Sequence, residues 1–337
     1  MHYVARITGT GSAFPENRLT NDDIALRLTQ VGLETSDQWI RDRTGIVERR
    51  ISNVENSAET NSSLGERAAR NALEMAGRKP DDIDQIIYAT CSPDTLIPAT
   101  GCWLQSKIRA RNAWAMDINA ACSGFVYGTI IAEQFIRTGR SKTVLVVGAE
   151  VLSQFVNWHD RTICILFGDG AGAAIVERES AKSSQRIISS HLVSDGTLTE
   201  LLHVPAGGSN MEVTPDRYER NLNKMQMNGR EIFKVAVRTL TECALRSIEQ
   251  WGMRADRLDW FVPHQANLRI IEAVANRLGF SMDKVVINLD RYGNTSAATI
   301  PTALDEAIRD GRIQPGQTVL VDAFGAGLTA GGLLFRW

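Results

Sequence analysis

Three residues in this chain have the types and sequence contexts expected of a site that transfers an acyl group. Cys122 follows the strand-like run WAMDINA and precedes the helix-like run SGFVYGTIIAEQFIRTG. A thiol at a helix N-terminus is favoured as the thiolate, which attacks thioesters readily. His264 could support the thiolate or act as an acid or a base, and Asn294 offers two N–H donors to a developing enolate oxygen. Together they predict acyl transfer followed by condensation.

The elements that would position these residues alternate between strand and helix along the chain. Amphipathic segments ending at Gly77 and Gly252 predict helices at 63–77 and 233–252. Alternation of this kind is typical of a layered α/β fold. Short apolar or β-branched runs bounded by turn residues predict strands at 86–90, 143–150, 162–167, 260–263 and 318–324.

An internal duplication relates the two halves of the sequence. Residues 69–87 align without a gap on residues 244–262, and residues 142–149 align on residues 317–324 with the same offset. Between these matches, IRTGR aligns on IRDGR with an offset that is three residues shorter. Three matches in the same order predict two similar units of helix, turn and strand.

The duplication also organises the candidate site. It predicts two halves, residues 1–180 and 181–337, packed as a pseudo-symmetric pair. At the shorter offset, Cys122 falls on Asn294, so a thiol and a carboxamide occupy matching strand-to-helix turns. His264 ends the strand WFVP, and sites in open α/β folds gather at the carboxyl ends of strands. Each residue alone would be ordinary, and the prediction depends on all three lying at strand ends.

Composition and charge narrow the class of protein. Hydrophobic residues make up 43% and charged residues 23% of the 337 residues, as is usual for a soluble globular protein. A formal net charge of -2 gives no overall basic field for nucleic acid. No apolar run is long enough to predict a membrane span. The five cysteines form no CxxC pair and no secretory signal pattern opens the chain, so we expect free thiols, no metal and a cytoplasmic location.

Two glycine-rich stretches could be mistaken for nucleotide-binding loops. GDGAGAAIV (168–176) lacks the third glycine of the dinucleotide fingerprint and does not open a helix. GAGLTAGGLLF (325–335) has the same features. Both are predicted to be tight strand-to-strand turns, and no bound cofactor is expected.

Over nearly its full length the chain resembles the β-ketoacyl-(acyl carrier protein) synthase III family of thiolase-fold condensing enzymes. The segments that match are TSDQWIRDRTGI, DINAACSGF, DRTICILFGDGAGAA, VPHQANLRI, LDRYGNTSAATIP and AFGAGLTAGG. The resemblance implies an α/β protein with a thiolase-like duplicated five-layer α-β-α-β-α fold. The N-terminal half would carry the nucleophile, and the C-terminal half the histidine and asparagine.

The same resemblance implies an acyltransferase that initiates fatty acid synthesis. An acyl-CoA primer would acylate Cys122, and decarboxylative Claisen condensation with malonyl-carrier protein would give the β-ketoacyl product, CO2 and CoA. His264 and Asn294 would promote decarboxylation and stabilise the enolate, while the backbone N–H groups of Cys122 and Ala326 would form the oxyanion hole. Residues implied to contact the acidic carrier protein are Arg269 and Lys234.

The resemblance further implies a set of substrate contacts and a homodimer. Coenzyme A would lie against Trp39 and Arg161 with Arg43 near its phosphates. The remaining implied contacts are Asn267 and the Gly229 backbone along the pantetheine arm, Phe233 in the acyl tunnel, and Ile97 at the far end of the tunnel, supplied by the partner subunit.

Two departures from the family pattern concern the acyl pocket. The family often has an aromatic residue before Pro98, where this chain has Ile97, and it commonly reads FTWG where this chain reads LTAG (328–331). Smaller side chains would lengthen or reshape the pocket. The primer is therefore left open, with chains of about four or more carbons and acetyl both retained.

Other functions stay open from the sequence. The nearest is a starter-unit condensing enzyme of secondary metabolism, of polyketide or quinolone type, with the same three residues. Thiolase is disfavoured because the second half has no cysteine near its glycine turn, and elongating synthases because they use two histidines. A nicotinamide-dependent oxidoreductase is disfavoured by the missing fingerprint. A non-catalytic acyl-CoA-binding protein would bind acyl-CoA without forming a thioester.

Overall fold

The structure is a computed structural model that describes residues 3–53, 59–252 and 254–337. Its β-strands are β1 (Tyr3–Ala13), β2 (Arg18–Thr20), β3 (Glu48–Arg50), β4 (Gln85–Ala89), β5 (Trp114–Ile118), β6 (Thr143–Glu150), β7 (Gly170–Ser180), β8 (Ile187–Ser194), β9 (Leu202–His203), β10 (Gln226–Met227), β11 (Trp260–Pro263), β12 (Thr318–Gly325) and β13 (Thr329–Arg336). Its α-helices are α1 (Asn21–Thr29), α2 (Asp37–Thr44), α3 (Asn61–Ala76), α4 (Thr100–Ile108), α5 (Gly124–Arg137), α6 (Arg161–Cys164), α7 (Pro215–Glu219), α8 (Gly229–Glu249), α9 (Leu268–Leu278), α10 (Leu289–Tyr292) and α11 (Thr299–Arg309).

Two large sheets have the same internal order. The first sheet runs β1-β7-β6-β4-β5 and the second runs β8-β13-β12-β11. In both sheets the two strands at the first-named edge are antiparallel to each other, β1 with β7 and β8 with β13. A parallel pair lies towards the other edge, β4 with β6 and β11 with β12. A parallel bridge between Phe261 and Val285 stands where β5 pairs with β4 in the first sheet. The predicted duplicated fold is thus confirmed, whereas the boundary between residues 1–180 and 181–337 stays a prediction.

The helices and sheets stack in five layers. Helices α3 and α4 pack on the outer face of the first sheet, and α8 and α9 on the outer face of the second. Helices α5 and α11 lie between the sheets, where Val146, Ile300 and Val321 belong to one buried cluster. Because β6 is covered on both faces, all eight of its residues are buried, and the six residues between Thr143 and Glu150 are apolar without alternation. This central layer brings the starts of α5 and α11 close together.

Glycines in the first sheet allow α11 and the segment that leads into it to pack closely against β6 and β7. A side chain at Gly148 would collide with the carbonyl oxygen of Ala297, and a Cβ at Gly172 would lie 2.7 Å from the Cβ of Pro301. GDGAGAAIV was predicted to be a strand-to-strand turn, and that prediction is wrong, because Gly170 and Gly172 lie within β7, where Gly172 packs against Pro301 of α11. The second glycine-rich stretch does form the predicted turn, between β12 and β13.

The segment 162–167 does not form the predicted strand. Asp160 caps the short helix α6 by accepting a hydrogen bond from the backbone N–H of Thr162, and Ile163 and Cys164 are buried in the core. The apolar pattern therefore reflects burial rather than strand geometry. After the helix, the backbone of Leu166 accepts a hydrogen bond from Asn294 N at 2.9 Å. This contact holds one of the candidate residues.

The two predicted amphipathic helices are present. Helix α3 ends at a left-handed Gly77, as expected. Helix α8 begins at Gly229, four residues before the prediction, because Asn228 caps it, and it ends at Glu249 before the left-handed Gly252. Within the described residues, no helix is both long and apolar enough to cross a membrane.

Candidate active site

Cys122 and Asn294 lie in two turns that are built in the same way. Each turn is a short 3-10 segment that leads into a central helix, α5 or α11. Each contains a residue with positive φ, Ala121 at 46° and Ser296 at 50°. An asparagine two residues earlier accepts a hydrogen bond from that residue's N–H, with Asn119 Oδ1 at 3.2 Å and Asn294 Oδ1 at 2.8 Å. The side-chain amide thus stabilises a backbone conformation that is uncommon outside glycine.

These turns correct the predicted equivalence of Cys122 and Asn294. The shared hydrogen bond pairs Asn294 with Asn119, and Cys122 with Ala297, at the offset of 175 residues seen elsewhere. The prediction was wrong by three residues because α5 has 14 residues and α11 has 11, so the matching motifs at their C-termini align at a shorter offset. The two residues nevertheless line the same cavity.

A cavity of about 690 Å3 brings most of the predicted site together. It is lined by Cys122, His264 and Asn294, and also by the predicted contacts Trp39, Arg43, Gly229, Phe233, Lys234, Asn267, Arg269 and Ala326. An apolar wall that the sequence did not predict as a set adds Leu198, Leu201, Leu202, Met227, Ile232, Leu240 and Phe324. Leu328, from the LTAG departure, also lies in this wall. The cavity therefore combines a polar inner end, an apolar wall and a basic opening.

The Cys122 thiol is not a resting thiolate, contrary to the prediction from its helix-start position. Burial raises its pKa from 9.0 to about 12, while the neighbouring Ser296 hydroxyl lowers it and the Glu150 carboxyl raises it further. A helix N-terminus is worth at most about 2 kcal/mol, or roughly one and a half pKa units. That is too little to cancel the effect of burial. The thiol proton must therefore be removed as the reaction proceeds.

His264 is buried and uncharged at neutral pH. Burial lowers its pKa from 6.5 to about 3, because no anionic group compensates the lost solvation of the imidazolium. Its Nδ1 lies 2.7 Å from Thr299 Oγ1, and its backbone N–H donates to the carbonyl of Asp322 at 2.8 Å. A neutral imidazole can accept a proton through one nitrogen and donate through the other.

Asn294 is held so that its amide nitrogen is the group available to a substrate. Its Oδ1 accepts from Ser296 N, and its backbone is fixed on both sides by Leu166 O at 2.9 Å and Gly168 N at 3.1 Å. Since Oδ1 is already engaged, Nδ2 is the donor that the cavity can use. This geometry suits the stabilisation of an enolate oxygen.

The end of β12 approaches the Cys122 amide closely. A Cβ at Gly325 would lie 2.7 Å from Cys122 N, so a larger residue would push the strand away from the nucleophile. Ala326 follows directly and lines the cavity beside Cys122. The backbone groups predicted to form the oxyanion hole are thus close neighbours.

A buried carboxylate behind Cys122 was missed by the sequence analysis. Glu150, at the end of β6, accepts hydrogen bonds from Ser92 Oγ at 2.5 Å, Thr90 Oγ1 at 3.1 Å and Ser296 Oγ at 3.1 Å. Burial raises its pKa, and these donors oppose the rise. The carboxylate ties the end of β4 to the turn that carries Asn294. A glutamate closing the apolar strand TVLVVGAE is the signal that could have identified it.

The predicted coenzyme A contacts lie together at the cavity mouth. The guanidinium carbons of Arg43 and Arg161 lie 4.0 Å and 4.6 Å from the Trp39 ring centroid. Arg161 does not line the cavity, and its guanidinium donates a hydrogen bond to the backbone oxygen of Glu34 at 2.6 Å. Asn267 has a structural role as well, because it caps α9 and donates to Arg43 O at 2.9 Å.

The remaining predicted contacts differ in their positions. Lys234 forms an ion pair with Glu231 at 2.9 Å, and Arg269 lies 6.0 Å from the Phe233 ring centroid. Ile97 is 88% exposed and does not line the cavity of its own chain. Its predicted position in the tunnel of a partner subunit stays a prediction.

A buried cysteine, a neutral histidine and an asparagine donor in one cavity of a duplicated five-layer fold define a thiolase-fold condensing enzyme. Residues 116–196 match the family model for 3-oxoacyl-[acyl-carrier-protein (ACP)] synthase III, and residues 248–337 match the model of its C-terminal part. The chain is 48% identical over 333 residues to the β-ketoacyl-[acyl-carrier-protein] synthase III of Thioalkalivibrio sulfidiphilus, covering 99% of both chains.

Solved structures agree with this match. The 3-oxoacyl-[acyl-carrier-protein] synthase III of Aquifex aeolicus has a TM-score of 0.89 and 42% identity, covering 99% of this chain and 100% of that one. The priming β-ketosynthase of the R1128 polyketide pathway has a TM-score of 0.89 at 32% identity, covering 99% and 96%. The chain belongs to the β-ketoacyl-(acyl carrier protein) synthase III family. The predicted family, fold class and enzyme class, a condensing acyltransferase, are confirmed.

Proposed function

We propose that this enzyme initiates fatty acid synthesis by joining an acyl-CoA primer to malonyl-carrier protein through a thioester on Cys122. The observation that carries the proposal is the single cavity that Cys122, His264 and Asn294 share. A starter-unit enzyme of secondary metabolism, of polyketide or quinolone type, would use the same residues. The identity of 48% to a curated synthase III, against 32% to a polyketide priming enzyme, favours fatty acid synthesis.

In the first half-reaction the Cys122 sulfur attacks the carbonyl carbon of acyl-CoA. The Cys122 proton leaves to a base, and a tetrahedral intermediate forms whose oxyanion faces the N–H groups of Cys122 and Ala326. The C–S bond to coenzyme A then breaks, and the coenzyme A thiolate takes up the proton. One thioester replaces another, so the step needs little free energy.

In the second half-reaction the malonyl thioester loses CO2. The electron pair of the broken C–C bond passes into an enolate whose oxygen meets His264 and Asn294. The enolate carbon attacks the acyl group on Cys122, and the thiolate of Cys122 is expelled and reprotonated. No electrons are gained or lost overall, and we therefore expect no cofactor.

Basic residues at the cavity mouth favour the binding of anionic substrates and partners. Arg43, Arg230, Lys234 and Arg269 all line the cavity. Phosphates of coenzyme A and an acidic carrier protein would both be attracted there, although the whole chain carries a net charge of only -2. We expect the reaction to take place in the cytoplasm, where the enzyme would encounter both acyl-CoA and malonyl-carrier protein.

Adenine binding requires a rearrangement at Trp39. A ring held between Trp39 and Arg161 needs about 7 Å, two van der Waals contacts, and the present separation is 4.6 Å. The Arg161 guanidinium would therefore have to leave Glu34 O and move outward when coenzyme A binds. Arg43 could stay over the ring and meet a phosphate.

Arg43→Ala is expected to raise the KM for acyl-CoA about tenfold, the loss of one charge-assisted contact of about 1.4 kcal/mol. The salt dependence of KM should also weaken, since one phosphate contact is gone. Steady-state kinetics at two salt concentrations would measure both effects. Arg41→Ala is the matched control, because Arg41 lies on the same helix but pairs with Asp37. An unchanged KM would remove Arg43 from the site.

Ile97→Phe is expected to shift primer preference towards shorter chains. We propose a homodimer in which this exposed side chain ends the partner's acyl tunnel, so wild type would accept primers of four or more carbons, or branched ones, in competition with acetyl-CoA. Each methylene excluded by the ring would cost up to about 0.8 kcal/mol, several-fold in specificity. The measurement is kcat/KM across straight and branched acyl-CoAs.

Leu96→Phe is the control for this substitution, because Leu96 is adjacent and 87% exposed. Leu96→Phe should leave primer preference unchanged. It also tests whether an added aromatic ring at this surface disturbs the contact between subunits. A strong acetyl preference in wild type that Ile97→Phe does not alter would exclude Ile97 from the tunnel.

A further inference from the structure

We propose that Thr329 is a positioning residue for the oxyanion hole, because its hydroxyl ties the turn that carries Ala326 to the turn that carries Cys122. The inference rests on the proposed acylation of Cys122 and on the proposed oxyanion hole formed by the N–H groups of Cys122 and Ala326. Thr329 does not line the cavity, so it acts on the reaction only through these two turns.

The two turns are far apart in the chain, and their backbones touch. A Cβ at Gly325 would lie 2.7 Å from Cys122 N and 2.9 Å from the carbonyl oxygen of Ala120. This contact alone does not fix the relative position of the turns, because glycine has no side chain that could interlock with its neighbour. An oxyanion hole with one N–H from each turn needs a fixed position, since a misplacement of about 1 Å can cost about 100-fold in rate.

One side-chain oxygen contacts both turns. Thr329 Oγ1 lies 2.8 Å from Ala120 O and 2.7 Å from Ser123 Oγ. Ala120 and Ser123 stand on either side of the Cys122 turn, which the hydrogen bond from Ser123 N to Ala120 O closes at 3.1 Å. In its own turn, Thr329 Oγ1 lies 3.2 Å from Ala326 O. The Thr329 hydroxyl therefore lies where the two halves of the oxyanion hole meet.

The link holds whichever carbonyl oxygen accepts the Thr329 proton. The hydroxyl oxygens of Ser123 and Thr329 are 2.7 Å apart, the usual length of an O–H···O hydrogen bond, so a proton lies between them. When Ser123 donates to Thr329, the Thr329 proton can go to Ala120 O or to Ala326 O. Both arrangements keep the bond between Ser123 and Thr329, and both turns stay joined.

The backbone around Thr329 holds the Ala326 turn itself. Thr329 pairs with Gly325 across the turn between β12 and β13. Leu328 exchanges two backbone hydrogen bonds with Asp195, at 3.0 Å and 2.9 Å. The turn that presents Ala326 N–H is thus anchored on both sides of that residue, and the Thr329 side chain connects this anchored turn to the nucleophile.

Thr329→Val keeps the branched shape of the side chain and removes the hydroxyl. A carbon atom needs about 3.3 Å to an oxygen, whereas Thr329 Oγ1 lies 2.7 Å from Ser123 Oγ and 2.8 Å from Ala120 O. The two turns should therefore separate by about half an ångström. Acylation and condensation both place a tetrahedral oxyanion at the same acyl carbonyl, so both should slow about 10- to 100-fold. The KM for acyl-CoA should stay close to that of wild type, because the cavity wall is unchanged.

The test is the carbonyl stretching frequency of the thioester on Cys122. It is measured as the infrared difference between enzyme acylated with unlabelled acyl-CoA and with acyl-CoA labelled with 13C at the carbonyl. Hydrogen-bond donors aimed at the oxygen polarise the C=O bond, so the wild-type band should lie below that of the same acyl-enzyme after unfolding. In Thr329→Val the band should move towards the unfolded value. Thr329→Ser restores the hydroxyl and should return the band and both rates to near wild type.

Ser123→Ala tests the route of the effect. Ser123 is 0% exposed and does not line the cavity, so in this scheme it acts through Thr329. Ser123→Ala combined with Thr329→Val should therefore be no slower than Thr329→Val alone, because the second substitution has already broken the link. Losses that multiply in the double variant would contradict the proposed link.

Thr129→Val is the matched control for loss of a buried threonine hydroxyl. Thr129 lies in α5, is 0% exposed and donates to Phe125 O at 2.8 Å, a bond within one helix. It should keep the wild-type band and rates. The proposal is overturned if Thr329→Val matches Thr129→Val, if its rates fall while its band stays in the wild-type position, or if Thr329→Ser behaves as Thr329→Val does. Absence of any thioester on wild-type Cys122 would instead refute the proposed function.

Discussion

Cys122→Ala is expected to abolish both the mass increase caused by acyl-CoA and the formation of β-ketoacyl product. The reason is chemical, because alanine offers no nucleophile to hold the acyl group between the half-reactions. Intact mass spectrometry with a panel of acyl-CoA primers would show one added acyl group on wild type and none on the variant. Peptide mapping would place the group on Cys122.

Cys91→Ser is the control for this experiment. Cys91 contacts the same Glu150 carboxylate, with Sγ at 3.3 Å from Oε1, and burial raises its pKa well above the ordinary range. Cys91 is a thiol near Cys122, but it does not line the cavity. Acylation should survive in Cys91→Ser, and an acyl group found on Cys91 or on Cys164 in wild type would contradict the assignment of Cys122.

Asn294→Asp is expected to reduce condensation by about 10²–10³, the usual effect of losing one donor to a developing oxyanion. Aspartate keeps the Oδ1 acceptor that holds Ser296 N at 2.8 Å, so the turn should be retained while Nδ2 is replaced by an oxygen. The variant should therefore still be acylated by acyl-CoA at close to the wild-type rate. Single-turnover measurements of each half-reaction would separate the two effects.

Acylation of the same variant serves as its own control for folding. If Asn294→Asp condenses at the wild-type rate, Asn294 does not stabilise the enolate. If acylation and condensation fall together, the substitution has disturbed the turn. Asn294→Ala, which also removes the hydrogen bond from Ser296 N to the side chain, should then impair both reactions no more than Asn294→Asp does.

The sequence identified the catalytic candidates because their signals are local. Cys122, His264 and Asn294 each follow a strand-like run, and the short motifs around them carry the family resemblance. The structure places all three on one cavity. Alternation of strand and helix likewise predicted the layered fold, since these elements are defined by periodicity along the chain.

What the sequence did not predict depends on contacts between distant segments. Thr299 reaches His264 across 35 residues, and Ser296 reaches Glu150 across 146. The protonated state of Cys122 depends on its burial between layers, which outweighs the local effect of the helix terminus. The predicted equivalence of Cys122 and Asn294 failed because α5 is longer than α11. This difference shifts the alignment of the motifs at the helix C-termini but leaves the two turns at the N-termini equivalent.

The central claim is that an acyl group on Cys122 acquires a new carbon–carbon bond. The direct measurement starts with enzyme acylated by 13C-labelled acyl-CoA and freed of excess primer, which is then mixed with malonyl-carrier protein in a single turnover. We expect a carrier-bound β-ketoacyl group that contains the label, one CO2 per product and free Cys122. Label that passes to the carrier without release of CO2, or that stays on the enzyme while malonyl-carrier protein is unchanged, would contradict it.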